Sequence, residues 1–335
     1  MARPASTYSR AFTLIEMLVV ITILSIVAVG TIAVIEPALE NRRIREAARG
    51  VNVSFGAARN HAVASGRPCG VLIRRLVGQE DCGITLEQVE IPPSFGGETL
   101  DARAKARITS AMPPVPGSIV TVELTFVVAQ SMIPVLVERG DLVQLNQQGP
   151  FYTVEAVPQT GLTLDLSLDL SRGVPPPPWP AQTDSEAMPF EIFRSPVKTA
   201  SAPFQLPVGT VIDLNFCGTE TNFSELLPAP PSTTTPPALP VYIMFSPNGS
   251  VDKYYLEKVA GNGLESFRAT ERIYLMVGKR ENVPPVATPN WADFDNIWIT
   301  LHPRTGLVTT SEVASPANID ASRRFAREAQ GMGGR

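Results

Sequence analysis

Along this chain the apolar positions keep three different rhythms, and each predicts a different element. Residues 1–11 form a short leader holding Arg3 and Arg10. From Phe12 to Ile35 the apolar residues are nearly continuous, with one acid, Glu16, near the head of the run and no charge from Met17 onward. At about 1.5 Å per helical residue the run reaches ~36 Å, enough to cross a hydrocarbon layer roughly 30 Å thick. Backbone groups in lipid have to bond internally, so residues 12–36 are predicted to be a transmembrane helix despite their many β-branched side chains.

Past Pro37 the rhythm changes. Pro37 removes one helix hydrogen bond and predicts a kink or a loosened turn. Beyond it Ile44, Ala47, Ala48, Val51, Phe55, Ala58 and Ala62 recur at steps of three and four, one apolar stripe of an amphipathic helix over 37–66. Arg42, Arg45, Glu46, Arg49, Asn52 and Arg59 occupy its other face. Gly66 and Pro68 predict its end. Residues 67–118 then read as the first strands of a head, with β-rich runs at 69–76 (CGVLIRRL) and 84–91 (ITLEQVEI). A stripe laid over antiparallel strands is an α+β arrangement.

The third rhythm, strict alternation, is clearest in LTLDLSLDL at 162–170. With the runs at 120–128, 140–145 and 151–157 it predicts a β-rich insertion over 119–171, a meander or small barrel. That insertion is either a contact surface for a partner or a decoration of the head. Residues 172–240 are rich in proline and predict a linker and loop region. In it 174–180 (VPPPPWP) is a stiff spacer and 228–240 (PAPPSTTTPPALP) is low-complexity. The sheet resumes over 241–315, where VYIMF and NIWITL flank turns at Ser246-Pro247-Asn248-Gly249-Ser250 and Thr305-Gly306. Residues 316–335 predict a solvated tail.

Glu16 is the position that needs a reason. An acid inside a membrane helix costs on the order of 3 kcal/mol, so it marks a partner. A cut between Ala11 and Phe12 would free an α-amine that a neighbouring copy's Glu16 can neutralise. The run AFTLIEMLVVITILSIVAVGTI resembles the cleavage and methylation segment of type IV prepilins and type II secretion pseudopilins. The resemblance implies that Ala11 is the last leader residue, where that family most often has glycine. It implies that Phe12 is the methylated mature N-terminus and Glu16 the assembly carboxylate. It also implies a pilin-like α+β fold: a long N-terminal helix, transmembrane in its first half, packed on an antiparallel sheet with β-rich insertions. The segments around Phe245-Ser246-Pro247-Asn248-Gly249 and Thr305-Gly306-Leu307-Val308 resemble the C-terminal half of H-type minor pseudopilins. The expected role is a minor pseudopilin of a type II secretion system, with a minor type IV pilin, DNA-binding for uptake, as the alternative. The implied partners are other pilins or pseudopilins through the N-terminal helix, the prepilin peptidase, the inner-membrane assembly platform and membrane lipid. Arg42, Arg43, Arg45 and Arg49 would by local charge hold the head in the cytoplasm. Long domains translocate regardless of such charge, so the resemblance prevails: a single-pass inner-membrane protein with its head outside.

Composition narrows the chemistry. A net charge of −4 argues against nucleic acid as a partner, and four tail arginines, Arg323, Arg324, Arg327 and Arg335, offer only modest phosphate-binding potential. The 32 prolines in 335 residues, about twice the usual share, predict interrupted β structure rather than a helical enzyme. Cys69 and Cys82 can close a disulfide loop outside the cytoplasm, or remain buried thiols; Cys217 is left over. There is no CxxC, no phosphate loop and no G-x-S-x-G elbow, so no catalytic residue, metal site or cofactor is expected. Asp293 and Asp295 have a spacing compatible with calcium, but read better as a polar loop.

Overall fold

One helix, α1 (Leu14–Ser65), carries both of the helical rhythms that open the chain. The computed structural model describes residues 13–110, 118–180, 182–229, 239–258, 264–283, 288–314 and 317–331; the side chains of 28–38, 172 and 329–331 lie outside that description. The helix runs through Pro37 as a single element. It ends at Gly66, whose φ of 66° is left-handed and whose N–H donates to Ala62 O. A glycine takes that conformation without the Cβ strain other residues meet.

The second half of α1 lies on a sheet. Strand β1 (Cys69–Leu76) turns back beside it and pairs with β2 (Gln79–Glu90). The chain then leaves this sheet for a second one, built from β3 (Ala104–Ile108), β4 (Ile119–Phe126), the short helix α2 (Ile133–Leu136), β5 (Leu142–Leu145), β6 (Phe151–Ala156), β7 (Thr163–Asp169) and β8 (Phe190–Phe193). It returns through β9 (Val197–Lys198), β10 (Phe204–Gln205) and β11 (Thr210–Asp213). After these come β12 (Val241–Phe245), β13 (Val251–Leu256), β14 (Glu265–Arg268), β15 (Ile273–Lys279), β16 (Ile297–Leu301) and β17 (Val308–Glu312). The helix α3 (Ile319–Gly331) closes the order.

The main sheet is antiparallel, in the order β14-β13-β12-β1-β2-β11-β15-β16-β17, with β9 and β10 on β2. The whole is the pilin-like α+β fold that the N-terminal half implies. The predicted stripe from Ile44 to Ala62 is fully buried and joins one core with Val71, Ile73, Ile243, Phe245, Leu275, Trp298 and Ile299. Phe55 meets Phe245 edge-on, 6.3 Å between centroids. Leu72, Val89, Tyr242 and Met244 face the other side and make a smaller core. With both faces covered, β12, β15 and β16 read as apolar runs rather than alternations.

The second sheet, in the order β3-β4-β7-β6-β5-β8, closes on itself. Ala104 and Met188, just before β8, exchange N–H···O bonds of 2.9 Å in both directions, joining its two ends. Its inward side chains form a core of their own, with Leu124, Tyr152, Val154, Leu164 and Ile192. This barrel contains the insertion expected over 119–171 but begins earlier, at β3, and ends later, at β8. Those end strands are short, so the alternation expected of the longer runs is hard to see in them. Among its described residues the stretch 172–240, expected as linker and loop, holds four strands, β8 to β11. Its VPPPPWP segment is no free spacer either: Trp179 stacks on Tyr152 at 6.3 Å, and Val174 packs on the barrel core. The chain enters and leaves the barrel at neighbouring points, since Glu90 on β2 stands opposite Val197 on β9.

Two turns of the main sheet meet α1. Arg59 Nε donates to Gly249 O at 3.1 Å, and Val251 N donates to Pro303 O at 2.8 Å. A Cβ on Gly306 would lie 1.9 Å from Gly249 O, so only glycine allows the turns to close together. The two segments that resemble a pseudopilin C-terminal half are thus one structural unit.

Candidate functional site

The first turn of α1 is built around Glu16. Thr13 is its N-cap: Thr13 Oγ1 accepts from Glu16 N at 3.2 Å, and Glu16 Oε2 accepts from Thr13 N at 3.4 Å. This reciprocal capping box satisfies two backbone donors and places a negative group at the positive end of the helix. The carboxylate therefore sits at the very tip of the rod. Ala11 and Phe12, the expected cut, lie outside the described residues.

From Leu14 to Val27 the large apolar side chains are exposed on every face; Leu14 is 85% exposed, Leu24 61% and Val27 56%. Thr22 and Ser25, the polar interruptions, turn their hydroxyls back onto Leu18 O and Ile21 O at 2.8 Å. The rod presents almost nothing but hydrocarbon. Monomers in water rarely leave an apolar surface of this extent uncovered. Among the described residues no helix is long and apolar enough to cross a membrane.

Where α1 joins the head, an ion cluster pins it. Lys279 Nζ lies 3.1 Å from Asp293, 3.6 Å from Glu40 and 3.8 Å from Asp295. Burial works to lower the pKa of this ammonium, but Asp293, Glu40 and Asp295 outweigh it and the net shift is upward. Asp293 and Asp295, weighed as calcium ligands, thus surround a lysine. The sequence reading missed this cluster, since its members are 253 residues apart in the chain (Glu40 to Asp293) and nothing local marks them.

The other candidates fall elsewhere. Cys69, Cys82 and Cys217 are free and buried, and the Cys69–Cys82 bridge is not made. The β1–β2 pairing explains why. Cys69 stands opposite Glu90, while Cys82 adjoins Gly83, which stands opposite Arg75. The two are at opposite ends of a hairpin, ~20 Å apart at about 3.3 Å per residue, against a disulfide limit near 7 Å. Cys69 instead lies 3.1 Å from His61 Nδ1. Burial pushes the Cys82 and Cys217 thiols up to about 12.

The expected solvated tail is largely helix α3, and Arg323 faces inward. It is 3% exposed. Its guanidinium donates to Thr219 O, Phe216 O and Phe223 O at 2.7–2.9 Å and lies 5.0–5.1 Å from the rings of Phe223, Tyr274 and Trp298. Desolvation lowers its pKa to about 10. Ser322 beside it accepts from Trp298 Nε1 at 2.8 Å. Arg324 and Arg327 stay outward. The spacing Ile319, Ser322, Arg323, Ala326 is the signal that could have marked an inward face.

A family model described as prokaryotic N-terminal methylation motif matches residues 6–32. The N-terminal segment is prepilin-like. The match takes in residues 6–11 of the expected leader, the expected cut at Ala11–Phe12, the capping box at Thr13 and Glu16 and most of the apolar rod. A segment of this kind goes with peptidase processing and with pilin-type assembly partners, and its proteins are usually structural rather than enzymatic. No curated protein and no solved structure matches the chain.

Proposed function

We propose that the chain is a structural minor pseudopilin of a type II secretion system, cut between Ala11 and Phe12, methylated on Phe12 and assembled through its N-terminal helix into a periplasmic filament. The observation that carries this reading is the apolar rod with a single acid at its tip, lying inside a matched methylation segment. In the membrane the rod is an anchor in the inner membrane, with the head outside. On assembly the same surface leaves lipid for neighbouring rods. Glu16 then exchanges its own Thr13 N–H for the methylated amine of the next copy's Phe12, which removes two charges from an apolar interior together.

A low-copy position follows from bulk: a closed barrel on the head crowds a repeating shaft. One end of that barrel exposes Leu100, Val127, Val128, Met132, Val135 and Leu162 on helix α2 and on loops knitted together by Gln130 and Glu98. We assign this end to a filament partner or an exported substrate. The DNA-uptake alternative loses support from Arg323, whose charge is spent inside the head.

Glu16→Leu tests the assembly reading. The variant should still be cleaved by the peptidase and still reach the membrane, yet fail to enter sheared filaments or cross-link to neighbouring subunits. Incorporation equal to the native chain would overturn the role given to Glu16.

A further inference from the structure

The end of the head from which α1 departs has its own surface chemistry. Four segments converge there: the start of the buried half of α1, the β1–β2 turn, the turn before β11 and the end of β15. Glu40, Arg43, Gln79, Val208, Lys279 and Arg280 line one groove of about 360 Å³. The segments are laced together. Arg280 N donates to Gly209 O at 2.9 Å, Arg280 Nε donates to Gln79 Oε1 at 2.5 Å, and Lys279 holds Glu40. From this rigid base two turn tips project aliphatic side chains into solvent, Val77 at 81% and Val208 at 85% exposure, with Leu39 of α1 at 46%. Arg42, Arg43 and Arg280 are exposed around them.

Turn tips on an otherwise polar end have no folding reason to be valine. Their height along α1 supplies one. If the apolar run to Ile35 fills the hydrocarbon layer, Glu40 stands about 7 Å above its edge at 1.5 Å per residue. The headgroup layer on each side is itself about 5–7 Å thick. The base of the head therefore arrives at headgroup level. There aliphatic tips can dip toward acyl chains, while arginines on long stems reach phosphates. The groove falls within the about 300–1,000 Å³ range of clefts that take small ligands.

We infer that this base is a lipid-resting surface: before assembly the head sits on the bilayer, with Val77, Val208 and Leu39 in the interface and Arg42, Arg43 and Arg280 on phospholipid phosphates. The inference rests on the anchor reading above. It adds that the head is held in one orientation by two contacts, the helix and the base, and that extraction into a filament has to break both.

The test uses the full chain in phosphatidylethanolamine–phosphatidylglycerol vesicles containing a nitroxide-labelled lipid. Single exposed cysteines are introduced and labelled briefly with a small fluorophore, the parent chain with its three buried thiols giving the background. Leu24→Cys reports the rod, Val77→Cys and Val208→Cys report the base, and Val63→Cys reports the opposite end of the buried half of α1. The inference expects Leu24→Cys to be quenched most and the two base labels several-fold more than Val63→Cys. A Val77→Asp change should lower quenching at Val208→Cys and leave that at Leu24→Cys unchanged. Base labels quenched no more than Val63→Cys, with Leu24→Cys still quenched, would overturn the inference and spare the anchor. An unquenched Leu24→Cys would overturn both.

Discussion

The two halves of α1 obey the same helical geometry in opposite surroundings. In the second half, Ile44, Val51, Phe55 and Ala62 line one stripe and are 0–1% exposed, covered by the sheet of their own chain. From Leu14 to Val27 the apolar residues occupy every face and no described residue covers them. A stripe is what a helix needs when one neighbour covers it; an all-round apolar surface suits a helix with lipid or neighbouring helices on every side. The difference separates what folds the monomer from what the monomer is folded to present. The proposed assembly chemistry is therefore sited at the tip of the uncovered half, where Glu16 is.

Substitutions can break this contrast. The largest effect should come from the covered half. Phe55→Ala leaves a cavity against Phe245 and should lower head stability by about 3–5 kcal/mol, read by chemical denaturation. Arg323→Ala should follow at about 3 kcal/mol, because three buried carbonyls lose their donor and an aromatic-lined void opens. Faster proteolysis of α3 would accompany it.

The buried side also carries one acid, and it makes stability depend on pH. Asp213 is fully buried; desolvation raises its pKa from 3.8 to about 6, against hydrogen bonds from Asn290 and Asn215 that pull the other way. A carboxyl whose folded pKa lies above its unfolded value stabilises the native state when protonated. That contribution is complete below about pH 4 and is lost as pH rises through about 6. Its size is about 3 kcal/mol from the difference of the two values. Asp213→Asn should remove this slope in melts taken between pH 4 and 7.

The smallest effects should come from the uncovered half and from the thiols. Leu24→Ala should change head stability by no more than about 0.5 kcal/mol, because its side chain is exposed on the rod, away from the head core. Reductant should leave the melting temperature unchanged, since the three cysteines are free.

These contrasts follow what the sequence made legible. The stripe from Ile44 to Ala62 could be read because helical spacing is local, and so could the cap at Gly66 and the alternation in β7. Glu16 stood out because an acid among aliphatics is a local anomaly. The barrel's extent could not be read: its closure joins Ala104 to Met188 across 84 residues of chain, and β3 and β8 are only five and four residues long. The Lys279 cluster and the cage around Arg323 are equally non-local. The proline-rich segment misled because proline signals a break in pairing, whereas here its neighbours Trp179 and Val174 pack on the barrel. The Cys69–Cys82 expectation came from proximity in sequence, which a long hairpin converts into distance in space.

The measurement that bears most directly on the uncovered half is intact mass spectrometry of the native polypeptide purified from membranes, with fragmentation of its first residues. The account predicts a chain that begins at Phe12 and carries one methyl group on its amine, with residues 1–11 gone. A chain that begins at Met1 or at any residue other than Phe12 would contradict it, as would an unmethylated Phe12.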